Sequence, residues 1–366
     1  MNDPIVIDVR MLRQSGIGTY IRNIVPVLIK LRPTHMFCLI GNKIDLDAFE
    51  WSREENVVVI NSRAPIYSVS EQLALVGKAP RNAALFWSPH YNIPLFYRGK
   101  LLVTVHDVFH LANSHYVNGV HKRIYARYFF NTIRRKAARI ICSSNFTASE
   151  FARLVGDAEI EVIYPGVSPD FFDIPREHSL FSRPYFLCVG NVKPHKNLGR
   201  LIKAFKKIEG DVPHLLVIVG QKDGFITGDP TVQEIIDRGP ERIIFTGHVP
   251  DSLLRQYFVQ SDALVFPSVY EGFGIPPLEA MACGIPVLAS RIESVKEICK
   301  DSVLYMDPLD IDDISEKMRL VVHDTSLRSA LVEHGASCVR TYNYESTAKK
   351  IADLMSQIIE DGASKR

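Results

Sequence analysis

Two successive series of short, unbroken apolar runs, each interleaved with helical patterns, constrain this chain more than any other feature. The first series predicts strands at Ile5–Val9, Met36–Ile40, Val57–Ile60, Leu85–Ser88, Leu101–Val105, Arg139–Ser143 and Ile160–Ile163, with a helix at Thr19–Leu31. The second predicts strands at Tyr185–Gly190, Leu215–Val219, Arg242–Thr246, Ala263–Phe266, Val287–Ala289 and Val303–Tyr305. Its helices are expected at Leu198–Ile208, Asp251–Gln260 and Leu278–Cys283, and the last 55 residues read as helical. Continuous Val, Ile, Leu and Phe runs mark strands buried on both faces of a parallel sheet. Strand–helix alternation in both halves therefore predicts an α/β chain of two doubly wound domains.

Length agrees, since 366 residues suit two domains of ordinary size. Prolines and Gly166 cluster around Pro165–Pro169, so the expected division is 1–170 and 171–345, with a C-terminal helix at 346–366 packing back on the first domain. Hydrophobic residues at 46% and charged residues at 23% exclude a disordered or fibrous chain. No apolar run approaches the roughly 18 residues of a membrane span. Met1–Pro4 leads straight into a strand, with no signal peptide expected. Six cysteines are scattered without a C-x-x-C pair, which reads as reduced thiols in a cytoplasmic protein without zinc.

The net charge of +2 hides an asymmetry. Residues 1–176 carry 21 Lys and Arg against 15 Asp and Glu, and the remainder carries 22 against 26. Residues 98–139 hold nine cations and one acid, Asp107. Between His121 and Arg139 the cations are interleaved with Tyr125, Tyr128, Phe129 and Phe130. Such a helix either packs its aromatics in the core beneath a solvated basic face, or lies against anionic lipid or an acceptor pyrophosphate. Nucleic acid is not expected, because no recognition module accompanies the cations.

The strongest local motif is Glu271-Gly272-Phe273-Gly274-Ile275-Pro276-Pro277-Leu278-Glu279. Its glycines allow a backbone to approach a ligand closely, and its prolines suit the first turn of a helix. The N–H groups of that helix start would suit a phosphate, with Glu279 expected in the first turn. Gly16 and Gly18 are expected between a strand and a helix. Gly-x-Gly without a third glycine is a weak dinucleotide signal, and a nicotinamide cofactor is disfavoured. His106 ends a predicted strand, on the side of a doubly wound sheet where ligands bind. His90, His110 and His115 are neighbouring alternatives with weaker support.

The Glu271–Glu279 string resembles the E-x7-E motif of the retaining GT-B glycosyltransferases of the group 1, or GT4, family. The resemblance extends to Thr246–Pro250, Ser261–Ser268, Tyr185–Asn197, Met11–Tyr20 and Leu101–Asp107, in the family's order. It implies a GT-B fold, two Rossmann-like domains facing across a cleft, with the donor held mainly by the second. It also implies roles for individual residues. His106 orients the sugar at the reacting centre, and Glu271 binds hexose hydroxyls and steadies positive charge at the anomeric carbon. Lys196 neutralises the donor pyrophosphate, which the Gly16–Gly18 loop faces. Val249 and Asp251 lie where relatives hold the base. Phe273, Gly274 and Ile275 supply main-chain contacts, and Glu279 takes the ribose. Asn191 stands where many relatives carry an arginine, leaving one cation fewer at the phosphates.

The N-terminal Asp8–Leu12 and Ser15–Tyr20 are similar to bacterial mannosyltransferases of O-antigen and exopolysaccharide assembly. The implied reaction moves a hexose, first of all mannose from GDP-mannose, onto a glycan or polyprenyl-pyrophosphate-linked glycan. No obligatory cofactor and no metal is expected, and the nucleotide-sugar is a co-substrate. UDP-hexoses, UDP-GlcNAc and dTDP-rhamnose stay open as donors. The implied setting is cytoplasmic, with peripheral contact at the inner face of the membrane. Rival readings are an inactive nucleotide-sugar-binding scaffold, a sugar-nucleotide epimerase and a phosphorylase.

Overall fold

The computed structural model describes residues 3–66, 68–113, 120–220 and 241–361. It falls into two units, one of Met1–Gly166 with Asn343–Arg366 and one of Val167–Tyr342. The divisions lie a few residues before positions 170 and 345. Gly166 explains the first: a Cβ there would lie 2.2 Å from the backbone nitrogen of Tyr344, so two crossing strands of chain meet where only glycine fits.

Unit 1 contains β1 (Ile5–Asp8), α1 (Ser15–Leu31), β2 (Phe37–Gly41), α2 (Lys43–Leu46), β3 (Val57–Asn61), α3 (Val69–Lys78), β4 (Leu85–Ser88) and β5 (Leu101–Val105). It continues with α4 (Phe109–Ala112), α5 (Val120–Lys136), β6 (Arg139–Cys142), α6 (Asn145–Val155) and β7 (Ile160–Val162). Its sheet is parallel throughout, in the order β3-β2-β1-β4-β5-β6-β7. Along β1 the side chains alternate between two cores. Ile5 and Ile7 join α1 residues Ile21, Ile24, Val25 and Leu28 on one face. Val6 joins Phe86, Phe130, Ile133 and Phe151 on the other. Burial on both faces is the reason β1, β2, β4 and β5 read as continuous apolar runs.

Unit 2 holds β8 (Tyr185–Val189), α7 (Leu198–Ile208), β9 (Leu215–Val219), β10 (Ile243–Gly247), α8 (Asp251–Gln260), β11 (Ala263–Phe266) and α9 (Ile275–Ala282). After these come β12 (Val287–Ser290), α10 (Glu293–Cys299), β13 (Leu304–Met306), α11 (Ile311–His323) and α12 (Thr325–Val339). The second sheet is also parallel, in the order β10-β9-β8-β11-β12-β13. One residue of α7 in every three or four (Leu198, Leu201, Ile202, Phe205, Ile208) enters its core.

The final helix, α13 (Tyr344–Asp361), belongs to unit 1. Ala348, Ile351, Met355 and Ile358 are buried in the same core as α1. The Arg32 guanidinium donates to Ala352 O and Ser356 Oγ. Lys100 Nζ donates to the Ile358 and Ile359 carbonyls at 2.7 and 2.8 Å, satisfying acceptors in the last turn.

Strands form within a residue of the expected places. Two helices start earlier. Helix α1 begins at Ser15, so Gly16 and Gly18 lie in its first turn and not in a loop before it. Helix α9 begins at Ile275, because Pro276 and Pro277 fall in its opening turn, where their missing N–H groups cost nothing. Glu279 consequently sits in the second turn, not the first.

Candidate active site

In unit 2 the sheet order reverses between β8 and β11, and the loops after the two strands share the crevice where doubly wound folds bind ligands. After β8 the chain turns through Gly190, makes one 3-10 turn at Pro194–Lys196, and passes through Asn197 at φ 59. The Asn197 side-chain amide donates to Pro267 O at 3.0 Å and to Pro308 O at 2.6 Å. Val269 N donates to His195 O at 2.9 Å. These bonds tie the two loops together and fix the base of Lys196.

Lys196 Nζ then lies 2.5 Å from Glu271 Oε1 and 5.6 Å from the centroid of the Phe266 ring. Both side chains of the pair are mostly shielded, at 17% and 15% exposure. Gly190, at φ 151, leaves room for the lysine stem, since a Cβ there would stand 3.3 Å from Lys196 Cε. Burial pushes the Glu271 carboxyl up, but the neighbouring charges of Lys196 and His195 and the hydrogen bond from Lys196 overcome it and hold the pKa below the ordinary value. Glu271 is therefore a fixed anion at neutral pH.

Glu279 is the opposite case. It is 8% exposed and no cation pairs with it among the described residues. Burial, with a further push from Asp251, raises its pKa to about 8. At neutral pH it holds its proton. Asp251 opens α8, two residues after the buried Val249. Gly274, at φ 103, is the N-cap of α9, a conformation that an L side chain adopts only with strain. Phe273 turns its ring onto Tyr342, with centroids 5.9 Å apart, so its side chain belongs to the core. Asn191 N and the Gly190 carbonyl lie against Gly220, where a Cβ would meet that carbonyl at 2.1 Å.

In unit 1 the order reverses between β1 and β4. His106 follows the next strand, β5. Its Nε2 donates to Pro89 O at 2.9 Å, which leaves Nδ1 as the acceptor. The Tyr20 ring packs edge-on at 4.8 Å, and the His106 carbonyl accepts from Ser143 Oγ at 2.7 Å and Thr147 Oγ1 at 3.3 Å. Burial lowers its pKa despite the hydrogen bond to Pro89 and the nearby Asp107. The imidazole is neutral at pH 7.

Gly16 and Gly18 differ in what they do. A Cβ on Gly18 would stand 2.5 Å from Leu12 O, so the fold itself requires glycine there. A Cβ on Gly16 would meet nothing within 4 Å, so no contact among the described residues explains that glycine. His110 borders the rings of Tyr91 and Phe109. His90 is buried beneath the β4 end, and His115 lies outside the described residues.

Sequence reasoning missed His195 and Ser268 beside Glu271, and it missed a buried cluster around Asp8. Arg10 grips Asp8 through Nε–Oδ1 at 2.9 Å and Nη2–Oδ2 at 2.7 Å, and reaches Glu71 Oε2 at 3.0 Å. The pattern Asp-x-Arg at a strand end was the available signal. Among the described residues, no group of His, Cys, Asp and Glu is placed to hold a metal ion, and no helix is long and apolar enough to cross a membrane.

Two family models cover most of the chain. Glycosyltransferase Family 4 matches residues 15–171, and Glycosyl transferases group 1 matches residues 171–338. An O-antigen chain mannosyltransferase B of Escherichia coli is 28% identical over 273 residues, which span 70% of this chain and 71% of the relative. The O-antigen chain mannosyltransferase RfbU of Salmonella typhimurium is 30% identical over 231 residues, spanning 63% and 62%. Among solved structures, Anabaena HepE in complex with UDP-glucose superposes with a TM-score of 0.77 at 17% identity, over 97% of this chain and 99% of that one. The domains are those of the GT-B fold, and the chain belongs to the group 1 glycosyltransferases.

Proposed function

We propose that this glycosyltransferase moves mannose from GDP-mannose, with retention, onto a lipid-linked glycan during cell-surface polysaccharide synthesis. The observation that carries the reading is the Lys196–Glu271 pair at the reversal point of the second sheet. A cation for the leaving diphosphate and an anion for the hexose start in contact, and the donor separates them. The diphosphate takes Lys196, whose charge stabilises the leaving group as it departs. Glu271, left ionised, accepts from hexose hydroxyls and opposes positive charge at the anomeric carbon. The departing phosphate accepts the proton of the attacking hydroxyl, so no second carboxylate is required as a base. Glu279 fits that account as a binding residue: it is buried on α9, and its oxygens accept from the ribose hydroxyls when the nucleotide binds.

His106 contributes from unit 1 as a neutral acceptor at the sugar. The mannose assignment is supported by the two O-antigen relatives. The UDP-glucose complex of the Anabaena protein is the reason the base must be tested directly.

The acceptor we assign is a glycan on a polyprenyl pyrophosphate, reached at the inner face of the cytoplasmic membrane. Helix α5 supports this. Phe129, Phe130 and Ile133 are buried, while Ile124 at 65% and Tyr128 at 58% exposure stand among exposed Lys122, Arg123, Arg127 and Arg135. Exposed apolar groups ringed by cations suit an anionic lipid surface.

Thermal shift with GDP, UDP, dTDP and ADP, then with their sugar derivatives, tests the reading. A ligand at 100 times its Kd stabilises the folded state by about 2.7 kcal/mol. A selective shift with GDP and GDP-mannose is expected. A selective shift with UDP or dTDP would discard the mannose donor, and no shift with any nucleotide would discard the transferase reading.

A further inference from the structure

The reaction as proposed makes no use of the most heavily built part of unit 1. Asp8 at the end of β1, His90 and Asn92 just after β4, and Glu71 on α3 are all buried. Glu71 Oε1 accepts from Asn92 Nδ2 at 2.5 Å and from Gln72 Nε2 at 3.1 Å, and Asn92 Oδ1 accepts from the Tyr125 hydroxyl of α5 at 2.6 Å. Two carboxylates share the single guanidinium of Arg10. Taking such charges out of water costs more than an apolar core of the same volume, so stability is a poor explanation for them. Their location is a better guide. The cluster ends on His90, and His90 adjoins the carbonyl that holds His106.

Both rings have an assignable tautomer. His90 Nδ1 accepts from the backbone N–H of Asn92 at 3.1 Å, so the proton of a neutral His90 is on Nε2, 3.3 Å from Asp8 Oδ2. Ser88 Oγ donates to His90 O at 2.8 Å. Those two bonds close the turn from Ser88 to Asn92. Within it lies Pro89, whose ring locks φ. The Pro89 carbonyl accepts from His106 Nε2.

We infer that His90 is a positioning residue for His106: its ring, seated by Asp8 and Asn92, shapes the turn that aims the Pro89 carbonyl at His106 Nε2 and so keeps Nδ1 of His106 as the acceptor. The inference rests on the reading of His106 as a residue at the transferred sugar. Asp8 lies beside His90 at the end of β1, Arg10 holds Asp8 and is itself held by Glu71, and Asn92 links the turn to Tyr125 on α5. None of these groups needs to touch substrate.

Two substitutions separate the functions of the His90 ring. Asparagine can present its Oδ1 where Nδ1 stands, keeping the acceptor for Asn92 N–H. Glutamine projects its polar end toward Asp8 and drops that acceptor. The full-length chain, labelled with 15N in its histidine rings, reports the tautomer of each imidazole by NMR, with His106 identified by the signal that His106→Ala removes. His90→Asn is expected to keep His106 protonated on Nε2 and to retain kcat within threefold. His90→Gln is expected to show a mixed His106 tautomer and a kcat at least tenfold lower, with KM for the nucleotide-sugar changed less than twofold. Pro89→Ala, which disturbs the core less, should shift the tautomer in the same direction if His90→Gln does not fold.

An unchanged His106 tautomer in both His90→Gln and Pro89→Ala overturns the inference. So does a mixed tautomer with an unchanged kcat. Full turnover by His106→Ala would instead overturn the role of His106 on which the inference rests, and the NMR readout shows which of the two has failed.

Discussion

Glu279→Gln should make the protein more stable, and by more as the pH rises. The substitution keeps the shape of the side chain and removes only its ability to ionise. In the folded protein Glu279 releases its proton at about pH 8, and in the unfolded chain at the ordinary glutamate value of 4.5. A carboxyl whose pKa is raised by folding costs nothing below pH 4.5, where both states are protonated. The cost grows between 4.5 and 8, where only the unfolded chain ionises, and is constant above. At about 1.4 kcal/mol per pH unit the full cost is roughly 5 kcal/mol, a ceiling that relaxation of the site reduces. Even about 2 kcal/mol would move the melting temperature of a unit this size by roughly 4–8 °C. Thermal unfolding of both forms from pH 4.5 to 9 is the assay. The curves should coincide at the acid end and separate to a plateau near pH 8. A separation that is absent, or that does not grow with pH, would refute the burial argument. Ribose hydroxyls donating to Glu279 would favour the carboxylate, so nucleotide binding below pH 8 should release a proton, measurable by calorimetry in buffers of differing ionisation enthalpy.

Three further outcomes follow from geometry already described. Lys196→Ala removes the partner of Glu271 and one charge-assisted contact to diphosphate, so nucleoside diphosphate affinity should fall at least tenfold, about 1.5–3 kcal/mol, while that of the nucleoside falls little; equal losses for both would refute it. Gly18→Ala drives a methyl into the Leu12 carbonyl and should cost about 1–3 kcal/mol of stability, whereas Gly16→Ala, with open space around it, should leave the melting temperature unchanged or higher. Denaturant titration of the pair would show the reasoning wrong if the order were reversed. Replacing Arg123, Arg127 and Arg135 together by Gln should reduce sedimentation with vesicles rich in anionic lipid by roughly a hundredfold in partition coefficient, at about 1 kcal/mol per cation, and unchanged sedimentation would remove the membrane role of α5.

Much of the fold was legible because a parallel sheet buries both of its faces. Strands such as Leu85–Ser88 and Leu101–Val105 are written as unbroken apolar runs with little room for misreading. Helix starts were less legible where glycine and proline cluster, since Gly16–Gly18 and Pro276–Pro277 signal loops and helix openings alike. Lys196 and Glu271 could be named as a cation and an anion for one donor. Their contact could not be read, because 75 residues separate them and only the adjacency of β8 and β11 brings them together. The Asp8 cluster was hidden for a similar reason. Asp8 and Arg10 are visible in one strand end, but Glu71 is just another acid in an amphipathic helix until α3 is placed. Arg134 illustrates the limit of counting cations: it lies half-buried against Gly156, while Arg135 beside it is exposed.

The return of α13 to unit 1 has a consequence for how the protein is made. Synthesis runs from residue 1 onward, and unit 2 has emerged in full before Tyr344 leaves the ribosome. During that interval the face of α1 that carries Ile21, Ile24, Val25 and Leu28 lacks the side chains of Ala348, Ile351 and Met355 that finish its core. The first domain to be translated is therefore the last to close. A fragment ending at residue 166 would carry that uncovered apolar stripe permanently, and the nascent chain carries it for as long as some 180 further residues take to appear, roughly 10–40 seconds at ordinary rates of elongation.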